Sequence, residues 1–170
     1  QYITPDDAAA GNGFNNVSWT NLNRSSVGTN LSIGGATNRE QPAIRAWQVY
    51  EPTANIVDVN VPGEGQFVVG SNVVDLGNGI WRYEYAIFNN NSDFSGQSFT
   101  IPLGSNLAMI DVGHSFPLYH SGEPYTNASW TTNITANEIT WSTETYIMNQ
   151  TANALRWGTT YSFWFTSNGA

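Results

Sequence analysis

Side chains in this chain change character at every second residue. Trp81, Tyr83, Tyr85 and Ile87 fall on one side of an extended backbone, and Arg82 and Glu84 fall on the other. The pattern returns near the far end, where Tyr161, Phe163 and Phe165 alternate with Ser162, Trp164 and Thr166. A strand repeats its side-chain direction every two residues and a helix every 3.6. This spacing therefore specifies strands half-buried against a core. No stretch carries apolar residues at helical spacing over three turns.

Turn-forming residues cut the chain into short pieces. Asp75-Leu76-Gly77-Asn78-Gly79 separates residues 66–75 from 80–89. Asn-Gly there is a strong hairpin signal, since both residues tolerate the positive φ of a type I′ turn. Further breaks fall at Pro62-Gly63-Glu64-Gly65, 89–93, Gly104-Ser105-Asn106, 121–124 and Ala136-Asn137-Glu138. The pieces between them predict strands over 17–22, 30–33, 44–50, 56–61, 67–74, 80–88, 98–101, 107–112, 129–134, 139–143 and 158–166. About nine to eleven short strands in one chain predict a single antiparallel β-sandwich, Ig-like or jelly-roll-like, over residues 16–170. Residues 1–15 lack strand character and read as a flexible N-terminal arm.

Charge narrows the range of partners. Only 11% of residues are charged, lysine is absent, and the five basic residues are Arg24, Arg39, Arg45, Arg82 and Arg156. A net charge of -8 argues against nucleic acid, whose phosphates need clustered cations. It argues equally against electrostatic docking on anionic membranes. With 21 Asn, 17 Thr and 15 Ser, the exterior is expected to be amide- and hydroxyl-rich instead. No run approaches the roughly 20 apolar residues of a membrane-spanning helix, and Gln1 fits a processed amino terminus.

Seven Asn-x-Ser/Thr sequons start at Asn16, Asn23, Asn30, Asn90, Asn127, Asn133 and Asn149. Chance supplies roughly four in such a composition, so these are glycosylation candidates. Both histidines lie in one stretch with two carboxylates: Asp111, His114, His120 and Glu123. Imidazole and carboxylate are metal-binding groups, yet the spacing matches no zinc signature. The alternative is a loop, His120-Ser121-Gly122-Glu123-Pro124, whose side chains satisfy its own backbone. Calcium is a further candidate at the Asn89–Asp93 cluster, although the EF-hand pattern is absent. Thirteen acids allow glycosidase-like carboxylate pairs without singling one out. There is no Gly-x-Ser-x-Gly elbow and no phosphate-binding glycine loop.

Seven tryptophans remain: Trp19, Trp47, Trp81, Trp130, Trp141, Trp157 and Trp164. Most are expected to pack in cores and on sheet faces. Trp164 alternates with core residues and is the one expected to point outward, where an indole can stack on a sugar.

Three segments carry a resemblance. They are Tyr119-His120-Ser121-Gly122-Glu123-Pro124-Tyr125, Ile139-Thr140-Trp141-Ser142-Thr143-Glu144-Thr145, and Asn153-Ala154-Leu155-Arg156-Trp157-Gly158-Thr159-Thr160-Tyr161-Ser162-Phe163. Trp81-Arg82-Tyr83-Glu84-Tyr85 with Asp93-Phe94-Ser95-Gly96-Gln97-Ser98-Phe99 belongs to the same set. Together they resemble a secreted β-rich domain family of planctomycete-type bacteria over roughly residues 80–165. The resemblance implies an exported domain and carries over no catalytic residue. Within it, Arg156 is expected to pair with Glu123 or Glu144, since a guanidinium grips a carboxylate at two points.

The resulting expectation is a non-catalytic, secreted or cell-surface structural domain. It would be a filament or surface building block that self-associates, or meets other surface proteins and glycans, by β-strand contacts. The alternative is a carbohydrate-binding module using exposed Trp or Tyr, and a glycan-acting hydrolase stands third. No resident cofactor is expected.

Overall fold

The computed structural model describes residues 3–25, 30–104, 107–120 and 122–169. The expected turn residues Ser105 and Asn106, and Ser121 of the expected loop, lie outside the described residues. In chain order the elements are α1 (Pro5–Ala9), β1 (Leu22–Arg24), β2 (Leu31–Ile33), α2 (Arg45–Tyr50), β3 (Asn55–Val61) and β4 (Gly65–Gly77). They continue with β5 (Ile80–Asn89), β6 (Ser98–Pro102), β7 (Met109–Ser115), β8 (Thr131–Ile134), β9 (Glu138–Ser142) and β10 (Thr160–Ser167). The chain is an all-β sandwich. A five-stranded antiparallel sheet, in the order β3-β4-β5-β10-β7, packs on a three-stranded one, β6-β9-β8. A separate ribbon pairs β1 with β2.

The Asn-Gly turn joins β4 and β5. Asn78 and Gly79 have φ of 55° and 74°, the left-handed pair a type I′ turn requires. From there Ile87 pairs with Tyr161, Tyr85 with Phe163 and Tyr83 with Phe165, so one face of the sheet is lined with rings. The small sheet and the loop before it supply the opposing rings. Phe163 lies 5.1 Å from Phe99, 5.3 Å from Trp130 and 5.3 Å from Trp141, centroid to centroid. Tyr83 stacks on Phe165 at 4.5 Å. Tyr161, Phe163, Phe165, Ile139 and Trp141 are all sealed from solvent.

The other face of the large sheet is covered only in part. Ile44, Val68 and Phe88 form a second apolar cluster there with Val17, Ile56 and Ala86. This layer corrects the expected strand over 44–50, which is α2. Its Trp47 packs onto Gly70 of β4, where an added Cβ would lie 2.9 Å from the ring. Its Arg45 holds Asp58 of β3 through two hydrogen bonds of 2.6 and 2.7 Å. Tertiary contacts of this kind override the strand propensity of Ile, Trp, Val and Tyr. The expected strand over 17–22 reduces to one bridge, Trp19 to Asn38, followed by β1.

Gly13 and Phe14 of the expected arm are tied to the sandwich. Asn90 Nδ2 donates to the carbonyl of Phe14 and Asn91 Nδ2 to that of Gly13. Asn89, Asn90 and Asn153 are fully buried amides that join loops to the core. Asn89 Nδ2 donates to the carbonyls of Ser92 and Leu155. Asn153 accepts from Trp130 Nε1 at its backbone oxygen (2.5 Å) and donates from Nδ2 to Ala128. Its side-chain oxygen meets the Tyr161 hydroxyl, which also lies 2.9 Å from the Ala154 carbonyl.

Phe163→Ala removes the ring shared by Phe99, Trp130 and Trp141 and should lower unfolding free energy by about 3–5 kcal/mol in urea titrations. Burial raises the Tyr161 phenol well above its ordinary 10.0, with Arg156 offsetting part of the rise. Burial and then Tyr83 raise Tyr85 as well. Unfolded phenols ionise near pH 10 while the folded ones keep their protons. Stability is therefore fully present below that pH and lost as pH rises beyond it. Denaturant midpoints measured from roughly pH 9 to 12 should fall, and less steeply in Tyr161→Phe.

Candidate functional site

The uncovered part of the large sheet's outer face forms a groove of about 530 Å³ beside α2. Alternation along β10 sends Ser162 and Trp164 to this side, and β5 contributes Arg82 and Glu84. Trp164 pairs in register with Gly113 of β7. A Cβ on Gly113 would lie 2.3 Å from the indole, so the ring rests across bare β7 backbone. Its Nε1 donates to Asp111 Oδ2 at 3.1 Å. Arg82 donates from Nε to Glu84 at 2.7 Å and lies 3.8 Å from Asp111. The guanidinium carbon sits 5.4 Å from the Trp164 ring centre. Trp47 of α2 lines the opposite wall, and Thr160 and Ser162 supply hydroxyls. Trp164 thus leaves the core side as its alternation predicts. Trp47 carries no such signal, because its segment reads as a strand in sequence.

The four metal candidates do not converge. Asp111 and His114 are an odd number of residues apart on β7 and point to opposite faces. His114 stacks on Phe116 at 5.9 Å and shares a 2.9 Å hydrogen bond with Ser129 Oγ. Burial lowers its pKa below the ordinary 6.5. His120 is buried edge-on to Tyr125, and Glu123 lines a separate cavity with His120, Tyr125 and Arg156. No group of three His, Asp or Glu side chains gathers among the described residues. Two side-chain oxygens of the calcium candidate loop are engaged by backbone. Asn89 Oδ1 accepts the N–H of Ser92, and Asn91 Oδ1 accepts that of Gln66.

Arg156 requires a correction. Its guanidinium is on neither Glu123 nor Glu144. It lies 3.9 Å over the Tyr125 ring and donates to the carbonyls of Gln150 (3.2 Å) and Ala152 (2.8 Å). Glu144 accepts from Asn149 instead. The loop is still pinned to the start of β10, but by a cation–π contact and carbonyls close in sequence.

An open edge is the second feature. Among the described residues β3 pairs with β4 alone. Val57, Val59 and Val61 share the face that carries the core, yet they lie beyond the three-stranded sheet and are 47%, 43% and 39% exposed. Asp58, the one charged residue of β3, faces the other way onto Arg45. At the end of this edge Glu64 accepts the N–H of Phe94 at 2.8 Å. Phe94 lines a cavity with Tyr146, and these two with Ile147 and Met148 are widely exposed.

The structure divides the sequons. Glycan attaches to the side-chain amide nitrogen. In Asn16 that nitrogen donates to Asp7 Oδ2 and the Asn12 carbonyl, and in Asn90 to Phe14 and Gln66 while fully buried. In Asn127 it donates to Leu118, and in Asn149 to Glu144. Asn23, Asn30 and Asn133 are exposed, and no hydrogen bond from another described residue engages their amides. Expression in a host with N-glycosylation, followed by peptide mapping, should find glycan on these three and none on Asn90. Occupancy at Asn90 would contradict this division.

No protein-family model, curated protein or solved structure matches this chain.

Proposed function

We propose that the chain is a non-catalytic, extracellular structural domain that associates with copies of itself through the β3 edge. The observation that carries this reading is the edge itself. Natural sheets blunt their edges with lysines, prolines or bulges. Lysine is absent here, and the register of β3 against β4 runs without a bulge from Asn55 to Val61. Three valines side by side on an open strand form a template for strand addition.

Neighbouring strands of the large sheet all run antiparallel. Pairing β3 with β3 of a second copy about a two-fold axis preserves that pattern and joins two sheets into one. The exposed tip at Phe94, Tyr146, Ile147 and Met148 offers the further surface that growth into a filament requires. The amide- and hydroxyl-rich exterior, the accessible sequons and the resemblance to a secreted β-rich family support an extracellular setting. No described helix is long and apolar enough to cross a membrane.

Light scattering across a concentration series should show reversible association of the unmodified chain. Val59→Lys adds the edge charge that the sequence lacks. It should shift the population to monomer with the urea midpoint unchanged, because Val59 is already half in water. A chain that stays monomeric up to about 500 μM would defeat the proposal.

A further inference from the structure

We infer that the outer-face groove between Trp47 and Trp164 binds a neutral oligosaccharide chain. This inference is independent of the β3 edge, which borders the inner face of the same sheet.

The groove joins two kinds of surface that few ligands match at once. Two indoles line it, and Trp164 is held by the β7 backbone at Gly113, by its bond to Asp111 at its rim and by the Arg82 guanidinium 5.4 Å from its ring centre. An aromatic ring fixed in this way keeps its position without a ligand, so little order remains to be imposed on binding. Between the indoles lie the Thr160 and Ser162 hydroxyls and the Arg82–Glu84 pair. A pyranose presents axial C–H groups on its faces and hydroxyls around its edge. Its faces suit the indoles, and its vicinal hydroxyls suit a planar guanidinium and carboxylate held side by side.

Charge selects among ligands. Arg82 is the groove's one cation among the described lining residues, and both Glu84 and Asp111 already face it. A phosphate, sulfate or uronic acid would therefore meet two carboxylates with no free counter-charge. A purely apolar ligand would strand the hydroxyls and the ion pair. An uncharged glycan leaves nothing unpaired. The few charges across the rest of the chain point the same way, since they provide little field to gather an ionic ligand.

The test uses four neutral probes: cellohexaose, xylohexaose, mannohexaose and chitohexaose. Each is titrated into the full chain by calorimetry and by nuclear magnetic resonance of the indole N–H groups. At least one should bind saturably and move the Trp47 and Trp164 resonances while leaving the buried Trp130 and Trp141 in place. Trp164→Ala should weaken that binding about tenfold or more. Ser162→Trp should abolish it by filling the groove with both native indoles retained, and it decides the matter if Trp164→Ala fails to fold. No binding of any probe at about 5 mM, binding that survives Ser162→Trp, or shifts confined to residues outside the groove would overturn the inference.

Discussion

An interior strand of a sheet must satisfy both of its faces, and the interior strand that carries both the core and the groove is the last one, β10. It takes hydrogen bonds from β5 on one side and β7 on the other. On its inner face Tyr161, Phe163 and Phe165 fill the space between the sheets. On its outer face Ser162 and Trp164 form the floor of the groove. The two surfaces are locked together by the pleat, because a slip of one residue would exchange them. Such a slip would place Trp164 in a space built for Phe163 and expose three large apolar rings. The aromatic packing that holds the sandwich closed therefore also fixes where the groove's indole lies.

Low charge shapes the rest. Three ion-pair contacts occur among the described residues, and two of them share Arg82. Loops are held instead by amides. Asn89, Asn90 and Asn153 sit fully buried with their donors matched to carbonyls of distant segments. A buried amide left unpaired costs about twice what a formed bond contributes. These residues therefore specify loop position more than they add stability. They also explain why sequon counting alone misleads in this chain. An asparagine that has taken a structural role offers no free nitrogen, whatever residue stands two places on.

How much of this was legible in sequence depended on whether the signal was local. Period-two alternation and the Asn78-Gly79 turn are local, and the strands they predict are present within a few residues. The six residues of α2 carry Trp, Val and Tyr, which favour strands, and they form a helix because Gly70 and Asp58 lie beneath them. Nothing near Arg45 or Trp47 in sequence announces those partners. Arg156 fails for a related reason. Glu123 and Glu144 were the charges in sight, but the Tyr125 ring and the nearby carbonyls were closer in space. The metal candidates illustrate the opposite case. The three-residue spacing of Asp111 and His114 already excludes a shared ligand position once the segment is taken as a strand.

Incomplete cover on each face of the large sheet underlies both functional proposals. The large sheet has five strands and its inner cover has three, so the inner face is left open along β3. On the outer side α2 and the N-terminal segment cover β4 and part of β5 and stop short of β10 and β7. A sandwich whose sheets matched would bury Val57, Val59 and Val61, and an outer layer extended past α2 would roof over Trp164. The uncovered strips lie on opposite faces and at opposite sides of the same sheet. Joining two copies at β3 would therefore leave both grooves open. A pair of this geometry would present two indole-lined grooves on one joined sheet. Weak contacts to a glycan chain then add across copies, since each further contact is made at the high local concentration set by the first.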